Sequence, residues 1–535
     1  MATEGLNSTD TPEALIASLR QQVELLLAER QQLLDQQQQN TRTIERLQHQ
    51  LQALLRRLFG RSAEKIDPKQ MLLFEELLKT LAPETPAPTA QSPAPPVAST
   101  NGHGRRRLPS TLERQRVIHD LPEEEKPCPC CGKMRHVIGQ ETSEQLDYVP
   151  ARLTVIEHVR LKYACRACEE NVATAEKPLA PIEKGLAAPG LLSYVVVSKY
   201  SDHLPLHRLE KILDRHGMQI ARSTTCDWAA QVAEVLCPIY RRMIEAVLGS
   251  KVIHTDDTPV DVQDRSLDQT RTGRFWVYLG DPNHPYTVFT YTPSRSRDGP
   301  MQFLQDWGKD ERAYLQADAF GGYDGIYRGE AGGRVTEVAC WAHARRKFYD
   351  ARNSDAAAST QALAYIRLLY DVEDQAKTSA RQNHRDLPAE RYRLRQEVAV
   401  QRLQQFKTWL ESQQAINGGA ILPKSPMGQA FTYTLNQWEA LSVYTTDGDL
   451  DIDNNAAENA LRRIAVGRKN WLFCGSDNGG HTAATLFSLI ATCERHKMDP
   501  FAYLRDVLTR IAATPLSQLD QLLPDHWQAA NTPTR

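Results

Sequence analysis

Hydrophobic residues near the N-terminus recur with a seven-residue period that predicts a coiled coil. Polar residues at Arg30, Gln37 and Asn40 interrupt the middle of this apolar seam. Two interpretations follow: a dimerisation arm over residues 1–66, or an intramolecular helical hairpin broken near "DQQQQN". The heptad positions are Ile16, Val23, Ile44, Leu51 and Leu58 at a, and Leu19, Leu26, Leu33, Leu47 and Leu54 at d.

The heptad pattern ends after this segment. Residues 67–110 are rich in Pro, Ala and Ser and predict a disordered linker. Residues 185–249 have a helical pattern, in which one helix ends at Gly217 and a second is capped by Ser223. This pair is typical of a helix-turn-helix, but also of any small helical domain, so DNA contact and plain packing both stay open.

After Lys251 the pattern changes to short apolar strands. The runs "KVIHTDDTPV", "GRFWVYLGD" and "PYTVFTYT" predict three hairpin-linked strands, and a crossover helix in "GPMQFLQDWG" leads to further strands. We therefore predict a mixed α/β sheet over residues 250–348 and 447–475. Residues 349–446 are polar and helical, which indicates an insertion. The tail, residues 476–535, predicts two amphipathic helices separated near Asp499-Pro500.

Composition narrows the class of protein without giving its function. The chain of 535 residues with 41% hydrophobic residues suits a multidomain protein with ordinary cores. It has no run of 18 apolar residues and no signal-peptide pattern, so we expect a cytoplasmic protein that does not bind membranes. A net charge of −2 excludes a global positive field, so any nucleic acid must be bound by local basic patches.

Five of the ten cysteines lie close together, between Cys128 and Cys168. Cys128 and Cys131 in "CPCCG", with Cys165 and Cys168 in "CRAC", form two C-x₂-C pairs that suit one tetrahedral Zn²⁺. Because four thiolates leave no open coordination position, this ion would be structural. We predict a DNA-binding zinc ribbon over residues 111–184; the alternative is a set of free buried thiols.

Two carboxylates occur at the centre of the first predicted strand, in "HTDDTPV". Side chains alternate across a strand, so Asp256 shares a face with His254 while Asp257 points the other way, and only one acid is expected to face a site. Asp318 follows the strand "AYLQAD" beside a glycine-containing loop, where an acid is either a site residue or a turn cap.

A third acid, Glu458, begins the helical run "NAAENALRR". It fits a capping box with Asn455, and it also fits a metal site with Arg462 one turn later to orient it. Together with the two strand acids it can bind hard cations such as Mg²⁺, and two such ions stabilise the attacking and leaving oxygens of phosphoryl transfer.

Basic residues flank these acids. "HARRKF" contains Arg345, Arg346 and Lys347, and "GRKNW" contains Arg468 and Lys469. Interleaved with Phe348 and Trp471, they suit a phosphate backbone with bases or sugars packed alongside. The alternative for each cluster is a solvated helix face or a set of salt-bridge partners.

At these residues the sequence closely resembles the insertion-sequence-66 family of bacterial DDE transposases. The matching segments are "HTDDTPV", "YLQADAFGGYDGIY", "CWAHARRKFYDA", "DNNAAENALRRIAVGRKNWLFCGSDNGG" and "DPFAYLRDVLTR", and the resemblance extends upstream to "RRLFGRSAEK". It implies an RNase H-like core interrupted by a helical insertion, with Asp256, Asp318 and Glu458 as catalytic acids that hold two Mg²⁺ or Mn²⁺ ions. The acid after the first aspartate is often Glu in the family and is Asp257 here, so either of the pair could be the first ligand. Cys340 and His343 resemble a Cys-x₂-His pair found before the insertion.

The resemblance also implies the activity. Such a protein binds the element's terminal inverted repeats in double-stranded DNA, cuts the transposon ends and joins their 3′-hydroxyls to target DNA. We expect a homodimer or higher oligomer on the bacterial nucleoid, with accessory proteins of the same element. Two alternatives remain: a metal-dependent nuclease without strand transfer, and a non-catalytic DNA-binding regulator, which the three intact acids argue against.

Overall fold

The structure is a computed structural model that describes residues 153–159, 162–163, 173–174, 179–183, 185–264, 266, 269–415 and 421–531. The predicted coiled coil, linker and four zinc cysteines lie outside these residues. Two short antiparallel strands, β1 (Lys162–Tyr163) and β2 (Ala173–Thr174), flank the second cysteine pair in sequence.

A six-stranded mixed sheet organises the described part of the chain, as predicted. Its strands run in the order β5-β4-β3-β6-β7, and β8 pairs with the far end of β3. The pairs β3–β4 and β4–β5 are antiparallel, whereas β3–β6, β6–β7 and β3–β8 are parallel. The strands are β3 (Val252–Gln263), β4 (Thr270–Leu279), β5 (Thr287–Thr292), β6 (Ala313–Gln316), β7 (Val335–Val338) and β8 (Phe473–Cys474).

Helices from both ends of the described chain share one hydrophobic core with this sheet. The edge strand β5 is covered by a helix, because the N–H of Thr287 donates to Thr492 Oγ1 (3.1 Å) and that of Phe289 to Ser488 Oγ (2.8 Å). These hydroxyls satisfy donors that a sheet edge would leave open. The helices are α1 (Pro189–Tyr200), α2 (Leu206–Arg215), α3 (Arg222–Leu248), α4 (Asp298–Phe303), α5 (Asp324–Tyr327) and α6 (Trp341–Asp350).

A helical segment separates α6 from the last part of the sheet, as the sequence predicted. It contains α7 (Ala356–Asn383), α8 (Leu387–Leu394), α9 (Val400–Ala415), α10 (Pro426–Asn436) and α11 (Trp438–Ser442). Then come α12 (Asn455–Trp471), α13 (Asp477–Arg495), α14 (Pro500–Arg510) and α15 (Pro524–Asn531).

Through hydrogen bonds, a buried arginine connects the helical insertion, α7 to α11, to the segment that precedes α12. Arg395, fully buried, donates to both oxygens of Glu373 at 2.8 Å each. Its remaining donors reach the carbonyl oxygens of Tyr444, Asp447 and Leu450. The guanidinium thus joins α7 to the residues that position the start of α12.

Several predicted boundaries hold, and one is wrong. Gly217, with φ +82°, follows the end of α2, and Asp499 accepts the N–H of Phe501 at the start of α14, as expected from their sequence context. The predicted cap at Ser223 is wrong: α3 begins at Arg222, after Ala221, with no side-chain cap.

Candidate active site

The site lies where one side of β3 has no strand beside it. Residues Val252–His254 pair with β6 and residues Asp261–Val262 pair with β8, so the stretch between them has a strand partner only in β4. Helix α12 closes this opening. Asn454 Nδ2, just before the helix, donates to the Thr255 carbonyl (2.8 Å), and Arg468 Nη1, near its end, donates to the Pro259 carbonyl. Asp256 and α12 are therefore held side by side.

Asn454 fixes the start of this helix by contacts to two residues of β3 and to the residue immediately before α6. Besides the bond to Thr255, its Oδ1 lies 3.2 Å from His254 Nδ1, and its N–H donates to Cys340 Sγ (3.2 Å). Asn454 and Cys340 are both buried. Burial raises the pKa of the Cys340 thiol to about 12, so at neutral pH it is an uncharged acceptor for this N–H.

The helix start does not use Glu458 as a cap. The residue preceding α12 makes no side-chain cap bond, and the N–H and Nδ2 of Asn455 both donate to the Asp453 carboxylate. The capping-box interpretation of Glu458 is therefore wrong. Its carboxylate, on the first turn, lies 3.7 Å from His343 Nε2. Within the described chain Arg462 makes no ion pair with Glu458, so the structure does not support Arg462 as its orienting partner.

Asp256 and Asp318 are partly buried acids with raised pKa values. Burial, and then the negative charges of Asp318, Asp257 and Glu458, raise the pKa of Asp256 to about 7. Burial likewise raises the pKa of Asp318, although His343 and Arg295 oppose the shift. Asp318 Oδ1 is buried without a hydrogen-bond partner. Buried, unbalanced carboxylates of this kind are what a cation would stabilise.

Asp257 has a different environment from its neighbour. Its side chain is 2% exposed, and Oδ2 accepts a bond from Arg274 Nη1 (2.9 Å). Oδ1 accepts from Arg295 Nε (3.0 Å) and Nη2 (2.7 Å). Because two guanidinium groups occupy both oxygens of Asp257, Asp256 is the stronger candidate of the adjacent pair for a metal ligand.

Among the described residues, one set of three ligand atoms from His, Cys, Asp or Glu lies within 4.8 Å of one another, and it comprises Cys340, His343 and Glu458. The three acids Asp256, Asp318 and Glu458 are spaced more widely. Wider spacing suits ligands of two ions about 4 Å apart better than ligands of one ion. His343 influences both Asp318 and Glu458, so it belongs to the same site.

The predicted basic residues are divided between structural and exposed positions. Arg468 is bound to β3 through Thr258 Oγ1 (2.9 Å) and the Pro259 carbonyl. Lys347 Nζ lies 4.6 Å above the ring of Tyr433. Arg346, Arg462 and Lys469 are exposed, and Arg345 is half-buried.

The predicted aromatic contacts to DNA are corrected by the structure. Phe348 is fully buried, so the prediction that it packs against bases or sugars is wrong. Trp471 is partly buried and packs against the core. The helical period placed Phe348 on the inner face of α6, while the basic residues beside it face outward.

Comparison with known families decides the class of protein. A family profile described as "Transposase IS66 family" matches residues 184–482, which contain all three acids. The chain belongs to the IS66 family of transposases. Three further profiles match this transposase: "zinc-finger binding domain of transposase IS66" over residues 125–169, "IS66 C-terminal element" over 488–524, and "Transposase C of IS166 homeodomain" over 46–117. The zinc-finger match spans the four predicted ligand cysteines and supports a bound Zn²⁺.

Curated relatives of the transposase come from Sinorhizobium fredii (strain NBRC 101917 / NGR234). Uncharacterized protein y4hP is 30% identical over 518 residues, which cover 91% of this chain and 90% of the relative. Uncharacterized protein y4jD is 33% identical over 434 residues, covering 79% and 82% respectively. Among the described helices of the transposase, none has the length and apolar character needed to cross a membrane.

Sequence reasoning missed two residues of this site, Asn454 and Arg295. Asn454 is one of three asparagines in "DIDNNAAEN", and Arg295 is one of two arginines in "PSRSRDG". Nothing in the local sequence distinguishes either residue from its neighbours. The side-chain contacts of each are made with residues that belong to other segments of the chain and lie far away in sequence, such as Asp257 and Asp318 for Arg295 and Thr255 for Asn454. No local pattern predicts such contacts.

Proposed function

We propose that this transposase binds the terminal inverted repeats of its insertion sequence, cuts the transposon ends and joins the freed 3′-hydroxyls to target DNA. The observation that supports this most strongly is the buried, unpartnered oxygen of Asp318 beside Asp256 and Glu458. Three acids gathered without an equal number of cations form a site that fits divalent metal ions.

The arrangement of strands supports an RNase H-like core. Three antiparallel strands, β3 to β5, are followed by β6 and β7 parallel to β3, with Asp256 on the first strand and Asp318 just after β6. Glu458 comes from a helix packed beside β3. The three acids thus come from sequence segments far apart and lie near the part of the central strand β3 that has no strand beside it.

Asp256, Asp318 and Glu458 are the residues that would hold two Mg²⁺ or Mn²⁺ ions. Bound there, the ions would activate the attacking water or 3′-hydroxyl and offset negative charge on the leaving oxygen. Asp256 must give up its proton to serve as a ligand, which its pKa of about 7 allows near neutral pH. His343, whose Nε2 lies 3.7 Å from Glu458 Oε1, would orient that carboxylate.

Other parts of the chain would position the DNA. Exposed Arg462 and Lys469 lie on α12, the helix that begins beside the acids, and Arg346 is exposed on α6, the helix that contains His343. Cations placed beside a catalytic site suit the phosphate backbone of a duplex. The zinc ribbon, with Cys128, Cys131, Cys165 and Cys168 as ligands, and a coiled-coil dimer would bring two transposon ends together; accessory proteins of the element are a further proposed partner.

A strand-transfer assay tests this proposal. Purified protein is incubated with a labelled duplex that carries the element's terminal repeat, with plasmid target DNA, and with Mg²⁺ or EDTA. We expect cleavage at the transposon end and labelled DNA joined to the plasmid, both lost in EDTA and in Asp318→Asn. Cleavage without joining would instead indicate a nuclease, and binding that survives EDTA without any cleavage would indicate a regulator.

A further inference from the structure

We infer that Arg295 is a phosphate-binding residue of this site, which holds a non-bridging oxygen of the DNA phosphate that is cut. This inference rests on the proposed function and assigns a role to a side chain outside the acid triad. Arg295 lies in the loop between β5 and α4. Its guanidinium group sits between Asp257 and Asp318.

The guanidinium is held in one orientation before any DNA binds. Two of its N–H groups, on Nε and Nη2, donate to Asp257 Oδ1. The ring of Phe320 covers one face of the group, with its centroid 3.9 Å from the guanidinium carbon. The loop itself is fixed by Thr292 Oγ1, which accepts from Trp276 Nε1 (2.7 Å) and donates to the Ser294 carbonyl (2.8 Å). An arginine positioned in this way loses little side-chain entropy when it binds a ligand.

Donors of Arg295 remain available on the side of the site. A guanidinium has five N–H donors, and in the described part of the chain only the two bonded to Asp257 have an acceptor within hydrogen-bond distance. Nη2 lies 3.8 Å from Asp318 Oδ2, which is too long for a hydrogen bond, so Asp318 does not occupy a donor of this guanidinium. The side chain is 38% exposed, so a ligand can reach it.

Neutralising Asp257 does not require Arg295. Arg274 already forms a 2.9 Å ion pair with Asp257, so the second guanidinium leaves one surplus positive charge beside Asp318. The rest of the site is acidic. A surplus cation next to catalytic carboxylates is what an anionic substrate requires, because a phosphodiester must otherwise approach a cluster of negative charge.

The test pairs a change in the protein with a change in the DNA. Binding of a transposon-end duplex is measured in Ca²⁺ for wild type and Arg295→Gln, with the phosphate at the cleavage position either normal or replaced by a neutral methylphosphonate. We expect wild type to lose affinity about tenfold on the neutral DNA, the order of one charge-assisted contact. Arg295→Gln should be about tenfold weaker on normal DNA and should lose nothing further on the neutral DNA.

Two controls keep the outcome interpretable. Arg297→Gln removes an arginine from the same loop, one that is 58% exposed and lies 3.6 Å from Glu330. It should keep the full wild-type sensitivity to the methylphosphonate. Arg295→Lys keeps the positive charge but lacks the planar set of guanidinium N–H donors. It replaces the glutamine variant if that variant does not fold. It should lose more than half of the wild-type sensitivity to the methylphosphonate.

An equal loss of affinity in wild type and Arg295→Gln on the neutral DNA would overturn the inference and leave Arg295 as a structural partner of Asp257. This binding result is independent of strand transfer. If wild type does not cleave the transposon end, the proposed function fails whatever the binding cycle shows; if it cleaves and the cycle shows no coupling, only the role of Arg295 fails.

Discussion

The side chain of Asn454 donates a 2.8 Å hydrogen bond to the carbonyl oxygen of Thr255. The first of these residues immediately precedes the helix that bears Glu458, and the second immediately precedes Asp256. This hydrogen bond therefore joins two segments that bear acids 202 positions apart in sequence. The bond is buried, so neither partner can exchange it for water at low cost.

Replacing Asn454 with Ala should lower both stability and activity. The change leaves the Thr255 carbonyl unsatisfied and removes the contact to His254, which should cost about 1–3 kcal/mol of unfolding free energy. Cleavage should fall further than the folded fraction does, because α12 is no longer fixed beside β3. Urea unfolding and single-turnover cleavage measure the two effects. Asn459→Ala, on the exposed face of the same helix, should be close to neutral in unfolding; equal effects of the two variants would refute the role of Asn454.

The metal-free protein should become less stable as pH rises through the range set by Asp256. The pKa of this carboxyl is ordinarily 3.8 and is about 7 in the folded state, so between these values the folded state binds more protons than the unfolded state. Unfolding free energy then falls with rising pH until about pH 7 and is flat above it. Asp256→Asn removes the part of this slope that Asp256 contributes, and the variant should be more stable than wild type at pH 8 in EDTA.

Thermal melts at pH 5.5 and pH 8, with and without Mg²⁺, check this prediction. Added Mg²⁺ should raise the melting temperature of wild type at pH 8 more than that of Asp256→Asn, since only the charged acid binds the ion well. Asp261→Asn changes an exposed aspartate of the same strand and should behave as wild type. The melting temperatures of wild type and Asp256→Asn are compared at the two pH values. If their difference is the same at both, Asp256 does not have a raised pKa in the folded state.

The buried pair of Arg395 and Glu373 should be essential for the insertion. Arg395→Met leaves the buried Glu373 carboxylate with only the longer 3.4 Å ion pair to Arg391 and removes the donor of three carbonyl groups, which should cost about 3–5 kcal/mol. Glu373→Leu added to this variant should recover part of the loss, because the poorly compensated buried charge is removed. Denaturant unfolding measures both. Arg367→Met, which breaks an exposed pair with Asp371, should change stability by less than about 1 kcal/mol.

The purified protein should contain one zinc ion per chain, bound outside the described core. Metal analysis by mass spectrometry should find it in wild type and not in a Cys128→Ser, Cys168→Ser double variant. Cys226→Ser, which changes an exposed free thiol on α3, should retain the metal. The double variant should bind transposon-end DNA more weakly. Unchanged zinc content in the double variant would assign the metal to other ligands.

The sequence predicted the elements of the fold more accurately than the contacts of the site. Alternating apolar residues gave β3, β4 and β5, and a helical period gave α13 and α14 on either side of Asp499-Pro500. The two-residue strand β8 was missed because it is too short to show a period, and it is defined by its pairing with β3.

The three acids were recognised from their residue type and from the family resemblance. The neighbouring sequence alone did not distinguish a metal ligand from a salt-bridge partner or a helix cap. Strand alternation predicted that the side chains of Asp256 and Asp257 lie on opposite faces of the sheet. The arginines that bind Asp257 are Arg274 on β4 and Arg295 in the loop after β5. Glu458 fitted a capping box in sequence, whereas the actual helix start depends on Asp453 and Asn454, whose contacts are settled by tertiary packing.

We propose that Glu458 is a catalytic carboxylate, and its charge can be removed with almost no change in shape. Single-turnover cleavage of a transposon-end duplex in Mg²⁺ should be compared for wild type, Glu458→Gln and Glu439→Gln, the last an exposed glutamate near the start of α11. We predict that Glu458→Gln binds the DNA as wild type does but cleaves at least about a hundredfold more slowly, while Glu439→Gln cleaves normally. Equal cleavage by all three proteins would contradict the assignment of Glu458 to the active site.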